Sequence, residues 1–228
     1  MSILEKRRIS KLLESSDIEA VIRELRQLPA AKTINPLIGS LCSNNETVRW
    51  HAITTLGPIV ADLADKDMEA ARVVMRRFMW SLNDESGGIG WGAPEAMGEI
   101  MACHDELAQE YAHILVAYMR EDGFYLELEQ LQRGLMWGLG RLAMVHPDLL
   151  RAQNGAAHLR PYLNANDPTV RGLAARALGL LKPKAATADL TKLVNDPTPV
   201  RIYLDRTVTT DTVGGLAQKA LANITKES

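Results

Sequence analysis

The sequence predicts an all-α fold built from repeated pairs of helices, and three observations carry this prediction. A ten-residue segment with the apolar spacing of a helix recurs five times along the 228-residue chain. The copies begin about 40 residues apart, which leaves room for a second helix in each period. Apolar residues make up 46% of the chain but aromatic residues only 5%, and the Ala- and Leu-rich remainder favours close helix packing over strands.

The recurring segment defines ten columns when its copies are aligned without gaps. The first, fifth and ninth columns are apolar, the eighth is small, and the tenth is Gly in four copies and Ala in the last. Apolar residues four apart lie on one face of a helix, and small residues let a neighbouring helix approach closely. The copies occupy residues 48–57, 89–98, 131–140, 170–179 and 213–222, so they begin 41, 42, 39 and 43 residues apart.

A second helical stretch precedes several of the recurring segments. The pattern places these helices at residues 68–81, 104–120 and 185–194. Two helices in a period near 40 residues are typical of HEAT and armadillo arrays. We therefore predict an α-α superhelix, a HEAT-like solenoid of about five two-helix repeats.

The start of two repeats resembles a known family. Residues 45–57 and 166–179 both carry Val-Arg after a short polar turn, and they resemble the bacterial HEAT-like repeat, the type also found in phycobilisome lyases. The resemblance covers about residues 32–225. It implies a structural pairing role between repeats for Asp167, Arg49 and Arg171. Lyase activity is not carried over, because the specialised residues of those enzymes have no match in this chain.

We expect one domain over residues 1–228, with the repeats at 32–225. Residues 1–31 form an N-terminal helical cap in this interpretation, with helices at 2–15 and 18–28, and Asp17 suits the N-cap of the second. Terminal repeats of a solenoid need a polar outer face. The charged residues of this segment are consistent with such a cap.

The last repeat contains an insertion with the pattern of a β-hairpin, residues 198–212. Val200, Ile202 and Leu204 alternate with polar residues, which is the period of a strand, and the turn is expected near Asp205 and Arg206. Two roles stay open for this hairpin. It caps the C-terminal end of the core, or it docks a partner through a free strand edge.

Composition and motifs restrict the classes of function that are open to this chain. The net charge of −2 disfavours a general nucleic-acid binder, which would be more basic. No signal peptide or spanning segment is visible, so we expect a protein of the cytoplasm, and the resemblance to the bacterial HEAT-like repeat implies a bacterial one. Cys42 and Cys103 form no CxxC pair, and no His-Glu pair or catalytic elbow is present. We expect no metal and no cofactor; whether the Gly-rich loop 86–94 binds a ligand stays open.

The recurring helices should line the concave face of the solenoid, where deviations from the repeat cluster. Trp and Arg dominate binding hot spots, and residues of these types recur on the concave face. We therefore predict that this face forms a groove for a partner protein. The chain is thus interpreted as a non-catalytic scaffold or adaptor. The alternative is a lyase-like or DNA-repair-like enzyme or cofactor handler using the same groove, and nucleic-acid binding is a third. The groove residues are Trp50, Trp91, Glu95, Glu99, Arg133, Trp137, Arg141 and Arg176, with Arg201 and Tyr203 of the hairpin as a second contact.

Overall fold

The structure is a computed structural model that describes residues 3–83 and 90–226. It separates into two compact units, Met1–Leu107 and Ala108–Ser228. Helices dominate both, and the few strand residues form one two-stranded sheet in the second unit. The predicted fold class, an all-α repeat of paired helices with an N-terminal helical cap and one small hairpin, is confirmed. That the chain is a single domain stays a prediction.

Short polar side chains begin several helices of the first unit. Asp17 accepts a hydrogen bond from the Ala20 backbone amide at 2.9 Å, which confirms its predicted N-cap role. Such caps satisfy amides that the first helical turn leaves without a partner. The helices of this unit are α1 (Ile3–Leu12), α2 (Ile18–Arg26), α3 (Ala30–Ser40), α4 (Glu46–Ala64), α5 (Met68–Leu82), α6 (Ala93–Cys103) and the beginning of α7 (Asp105–Ala117).

The recurring segments of the first unit form α4 and α6, which pack against each other. Leu56 and Met97, both from the ninth column, are completely buried in its core. Gly57 of the tenth column lies so close to α6 that a Cβ there would stand 2.8 Å from Cys103 Sγ. The helices therefore approach more closely at this column than any side chain would allow.

The recurring segments of the second unit form three further helices, α8 (Glu129–Val145), α11 (Pro168–Leu181) and α13 (Val213–Thr225), and α11 packs against the other two. Between them lie shorter helices, including 3₁₀ turns at Arg160–Asn164 and Lys184–Ala186. The unit contains the rest of α7, then α8 (Glu129–Val145), α9 (Pro147–Ala152), α10 (Gly155–Leu159), α11 (Pro168–Leu181), α12 (Thr187–Leu193) and α13 (Val213–Thr225).

The inserted hairpin has the predicted form. Strands β1 (Pro199–Leu204) and β2 (Thr207–Thr212) pair in antiparallel register, with Leu204 opposite Thr207. Asp205 and Arg206 form the two-residue turn with φ angles of 49° and 63°. Positive φ at both central residues is the type I′ geometry that matches the twist of paired strands.

Several helix boundaries differ from the sequence prediction, and the helices predicted at 2–15, 18–28 and 104–120 end at Leu12, Arg26 and Ala117. Helix α6 begins at Ala93, inside the Gly-rich loop 86–94, after Gly92 in the left-handed region at φ 73°. The helix predicted at 185–194 begins as a 3₁₀ turn and becomes α-helical only at Thr187. Within the Gly-rich loop 86–94, residues 86–89 lie outside the described part of the chain.

Candidate functional site

The first unit contains four of the predicted groove residues, all on α4 or α6 or in the turn before α6. Trp50 and Trp91 are half-buried and present part of their rings to solvent. Glu95 lies in the first turn of α6, four residues after Trp91, and is also half-buried. Glu99 is buried, and Cys103 Sγ lies 3.8 Å from its Oε1, within the range of a weak hydrogen bond to sulfur. The expectation that Glu99 faces a partner is therefore corrected: it packs opposite Gly57 of α4.

Glu95 carries an unusual carboxyl group. Part of the residue is accessible, but its Oε2 atom is enclosed and accepts no hydrogen bond within the described chain. Burial raises the pKa of Glu95 to about 7, against the weaker opposing effects of a backbone hydrogen bond and the charge of Arg49. A carboxyl group with this pKa gains or loses its proton near neutral pH.

Arg133 in the second unit has a structural partner. Its guanidinium, on α8, donates from Nε to Asp167 Oδ2 at 2.8 Å and from Nη2 to the same oxygen. Asp167 is buried and caps α11 by accepting the Val170 amide at 3.0 Å. Burial acts to raise the pKa of Asp167, but the bonds from Arg133 and from the backbone outweigh it, and the pKa falls below its usual value. The predicted groove arginine thus holds the start of the next repeat.

The hairpin covers Trp137, the other predicted groove tryptophan. Val200 and Ile202 of β1 are buried, and β1 lies against α11. Trp137 is buried as well, and its Nε1 donates to the Tyr203 carbonyl oxygen at 2.6 Å. The expected exposure of Trp137 and Tyr203 is therefore corrected, because each buries the other. The contacts of β1 favour the capping role over docking.

The remaining predicted residues lie around the same hairpin. Arg201 is exposed, and Arg141 and Arg176 are half-buried. Burial lowers the pKa of Arg176, and the charge of Arg141 lowers it further against the effect of Asp205. Its Nη2 donates to Met144 Sδ at 3.0 Å, a weak acceptor for a guanidinium.

A loop-closing contact recurs at the second column of three repeats. Arg49 donates to the Ser43 carbonyl, and Arg171 to the Ala165 carbonyl, both at 2.8 Å and both six residues back. In the third repeat Gln132 occupies this column and donates to the Leu126 carbonyl at 2.9 Å, again six residues back. Arg171 also reaches Asp196 at 3.0 Å, the start of the next repeat. The structural role implied for Arg49 and Arg171 agrees with these contacts.

A cleft of about 710 Å³ opens where Gln132 replaces the arginine. It lies between the loop that precedes α8 and the segment around residues 157–166, entirely within the second unit. Its lining combines carboxylates with the phenol groups of Tyr125 and Tyr162. Phe124 and Leu128 of the same loop are exposed, Phe124 by 56%. Sequence reasoning missed this site; the available signal was the second column of the repeat, which holds Gln in the third repeat, Arg in the first and fourth, and Gly in the second and fifth.

Among residues 3–83 and 90–226, no group of three or more His, Cys, Asp or Glu side chains stands ready to hold a metal ion. Over the same ranges, no helix combines the length and apolar character needed to cross a membrane.

Comparison with known proteins identifies the fold class. No protein-family model matches the chain, and no curated protein matches it. Solved structures do match: an engineered protein studied by the Northeast Structural Genomics Consortium is 22% identical with a TM-score of 0.55, covering 99% of this chain and 98% of its own. A designed armadillo repeat protein is 18% identical with a TM-score of 0.51, covering 95% and 98%.

A second designed armadillo repeat protein, solved in complex with the peptide (KR)4, is 18% identical with a TM-score of 0.54, covering 98% of this chain and 100% of its own. Identities this low establish the fold alone. The chain is therefore similar to helical repeat proteins, and its assignment to the bacterial HEAT-like type stays a prediction.

Proposed function

We propose that this chain is a helical-repeat scaffold that binds another protein, and that the first unit offers the binding surface. One observation carries the proposal: Trp50 on α4 and Trp91 in the turn before α6 are both half-exposed, α4 packs against α6, and Glu95 follows in the first turn of α6. Partly exposed tryptophans supply large contact areas at small entropic cost and are enriched in binding hot spots. We call Trp50, Trp91 and Glu95 the tryptophan face.

The second unit supports the same choice of surface. Its hairpin buries Trp137, so the corresponding face there is occupied by the chain's own residues. The similarity to a designed armadillo repeat protein solved with a peptide is consistent with a protein partner. A HEAT-like adaptor in the bacterial cytoplasm is the finer form of this proposal.

The test is capture of partners from an extract of the source organism, with the wild type and two variants as baits. The double variant Trp50→Ala, Trp91→Ala removes the tryptophan face. The matched control is Trp80→Ala, because Trp80 lies on α5 and is 79% exposed. Circular dichroism checks that all three proteins keep the same helix content.

We expect a dominant protein that the wild type and the Trp80→Ala control retain and the double variant loses. Truncating a hot-spot tryptophan costs roughly 2 kcal/mol or more of binding free energy, which is enough to remove a micromolar partner from a pull-down. The same partner list from every bait would contradict the tryptophan face as the binding surface.

A further inference from the structure

We propose that the cleft in the second unit is a binding site for a Lys or Arg side chain of a partner protein. The inference rests on the proposed function, because it assumes a protein partner, but it concerns a different surface from the tryptophan face. Five observations lead to it: the repeat comparison, the acceptor of Gln132, the charge of the lining, the tyrosines in the lining, and the exposed apolar residues beside it.

The repeat comparison shows what the third repeat lacks. Arg49 and Arg171 each place a guanidinium against the loop before their helix, bound to a carbonyl six residues back. Gln132 makes the corresponding bond with a shorter and uncharged side chain. The cleft therefore lies where two other repeats carry an internal cation.

The amide of Gln132 is only partly satisfied. The side chain is 7% exposed and lines the cleft. Its Nε2 donates to the Leu126 carbonyl at 2.9 Å and to Tyr125 Oη at 3.1 Å. A carbonyl can only accept, so this bond fixes the nitrogen and leaves Oε1 as the remaining acceptor. Within the described residues, no hydrogen bond reaches that Oε1. This Oε1 belongs to a side chain that lines the cleft, and it offers an acceptor to a ligand that donates.

The charges of the lining call for a cation. Glu121, Glu127 and Glu129 line the cleft and make no ion pair closer than 4 Å within the described part of the chain. Asp122 is paired with Arg120 at 2.6 Å, which leaves the cleft with an excess of negative charge. His158 is the other titratable side chain of basic type in the lining. Guanidinium and ammonium groups bind carboxylates of this kind with charge-assisted hydrogen bonds.

The tyrosines add acceptors and aromatic surface. The Tyr162 hydroxyl donates to the Met119 carbonyl at 3.1 Å, and burial raises the pKa of Tyr162 above its usual range, so the phenol stays neutral. Cations bind favourably over aromatic rings. Neutral phenols beside carboxylates therefore suit a cationic group without adding charge of their own.

The exposed apolar residues indicate a peptide as the source of the cation. Phe124 and Leu128 present much of their surface to solvent beside the acidic lining. A free amine or guanidine has no group to cover them, whereas a peptide with an apolar residue next to its Lys or Arg does. Charge complementarity together with this apolar surface selects a basic, partly apolar segment of another protein.

The test measures binding of a fluorescein-labelled octapeptide, Ser-Leu-Arg-Leu-Arg-Leu-Ser-Gly, to the full chain by fluorescence anisotropy. A peptide with Glu in place of both Arg residues is the charge control, and unlabelled arginine competes as a free small molecule. Two variants alter the cleft. Gln132→Arg supplies the guanidinium from the chain itself, and the double variant Glu121→Gln, Glu127→Gln removes two carboxylates.

A matched control removes two exposed carboxylates of the first unit, Glu14→Gln and Glu106→Gln, and so changes the net charge equally. We expect the Arg peptide to bind the wild type and this control with equal affinity. Its affinity for each cleft variant should be at least tenfold lower. Its affinity for the wild type should fall as the salt concentration rises. The Gln132→Arg protein should also unfold at no lower temperature than the wild type, since arginine fits this column in other repeats.

Three outcomes would overturn the proposal: no binding of the Arg peptide, equal binding to all variants, or equal binding of the Glu peptide. Displacement by free arginine at the same concentration as by unlabelled peptide would overturn the peptide as the source of the cation. Partner capture with the Trp50→Ala, Trp91→Ala bait separates the two proposals. If that capture succeeds while the peptide fails, the cleft proposal falls alone.

Discussion

The carboxyl group of Glu95 makes the stability of this protein depend on pH in a way that one substitution removes. In the folded chain, Oε2 of Glu95 is enclosed without a hydrogen bond, and burial raises the pKa to about 7 from an ordinary 4.5. Replacing Glu95 with Gln keeps the size and a neutral polar group but abolishes ionisation. We expect Glu95→Gln to be more stable than the wild type above neutral pH and equally stable near pH 4.5.

Proton linkage gives the direction and the size of this pH effect on the free energy of unfolding. Between pH 4.5 and about 7 the unfolded chain has lost the proton of Glu95 while the folded chain retains it. Stability of the wild type therefore falls as pH rises through this window and becomes level above it. Each pH unit in the window corresponds to about 1.4 kcal/mol, so the full loss is about 3 kcal/mol. The Gln side chain avoids this loss.

Urea unfolding followed by circular dichroism at pH 5 and pH 8.5 measures the effect. The free energy of unfolding of the variant, relative to that of the wild type, should be about 2–3 kcal/mol higher at pH 8.5 than at pH 5. Burial lowers the pKa of His51 against the opposing effect of a hydrogen bond to the Leu13 carbonyl, and this effect is the same in both proteins and cancels from the difference. A difference between the two proteins that does not change with pH would refute the enclosed, neutral carboxyl group.

Other contacts give three further predictions. Gly179→Ala should destabilise the protein by about 1–3 kcal/mol in thermal unfolding, because its Cβ would stand 2.5 Å from Ala220 Cα. The control Gly39→Ala, with open space around its Cβ, should be neutral or stabilising by up to about 1 kcal/mol. Equal losses of stability in the two variants would contradict the close approach of Gly179 to Ala220. Asp167→Ala should cost about 2 kcal/mol in urea unfolding, because it removes the N-cap of α11 and a guanidinium partner; no loss would contradict the structural role. Arg206→Gly should raise the unfolding temperature, by about 0.5–1 kcal/mol in free energy, because Gly adopts φ 63° without strain, and a lower temperature would contradict the turn geometry.

The periodic part of the fold could be predicted from the sequence because residues of the same kind recur at the same column of each repeat. The Gly and Ala columns anticipated the approach of Gly179 to the next recurring helix, and the short alternating segment anticipated β1 and β2. Asp17 was recognisable as a cap because its bond reaches only three residues along the chain. These features depend on spacing within a few turns, which sequence records directly.

The candidate site was harder to predict, because periodicity assigns a residue to a helix face but not what covers that face. Trp137 has the column position of an exposed residue, yet the hairpin from 66 residues later accepts its indole N–H and buries it. Arg133 likewise appeared available, but it binds a carboxylate 34 residues away. Whether such side chains are buried is decided by long-range packing, which no local pattern encodes.

The cleft was missed for a related reason. Gln132 seemed an unremarkable polar residue until its bond to the Leu126 carbonyl placed it in the same role as Arg49 and Arg171. The meaning of the substitution depends on a contact that recurs in space. Comparison of the second column across the repeats could have singled out Gln132, but only the structure places the carboxylates of the cleft around this residue.

Hydrogen–deuterium exchange tests the central claim of a protein-binding tryptophan face most directly. Exchange would be measured by mass spectrometry on the chain alone and bound to the partner that it captures from its own organism. We predict that the partner slows exchange in α4, in α6 and in the turn around Trp91, with the Trp50→Ala, Trp91→Ala variant showing no slowing at the same partner concentration. Protection confined to other helices, with these segments exchanging as fast as in the free chain, would contradict the account.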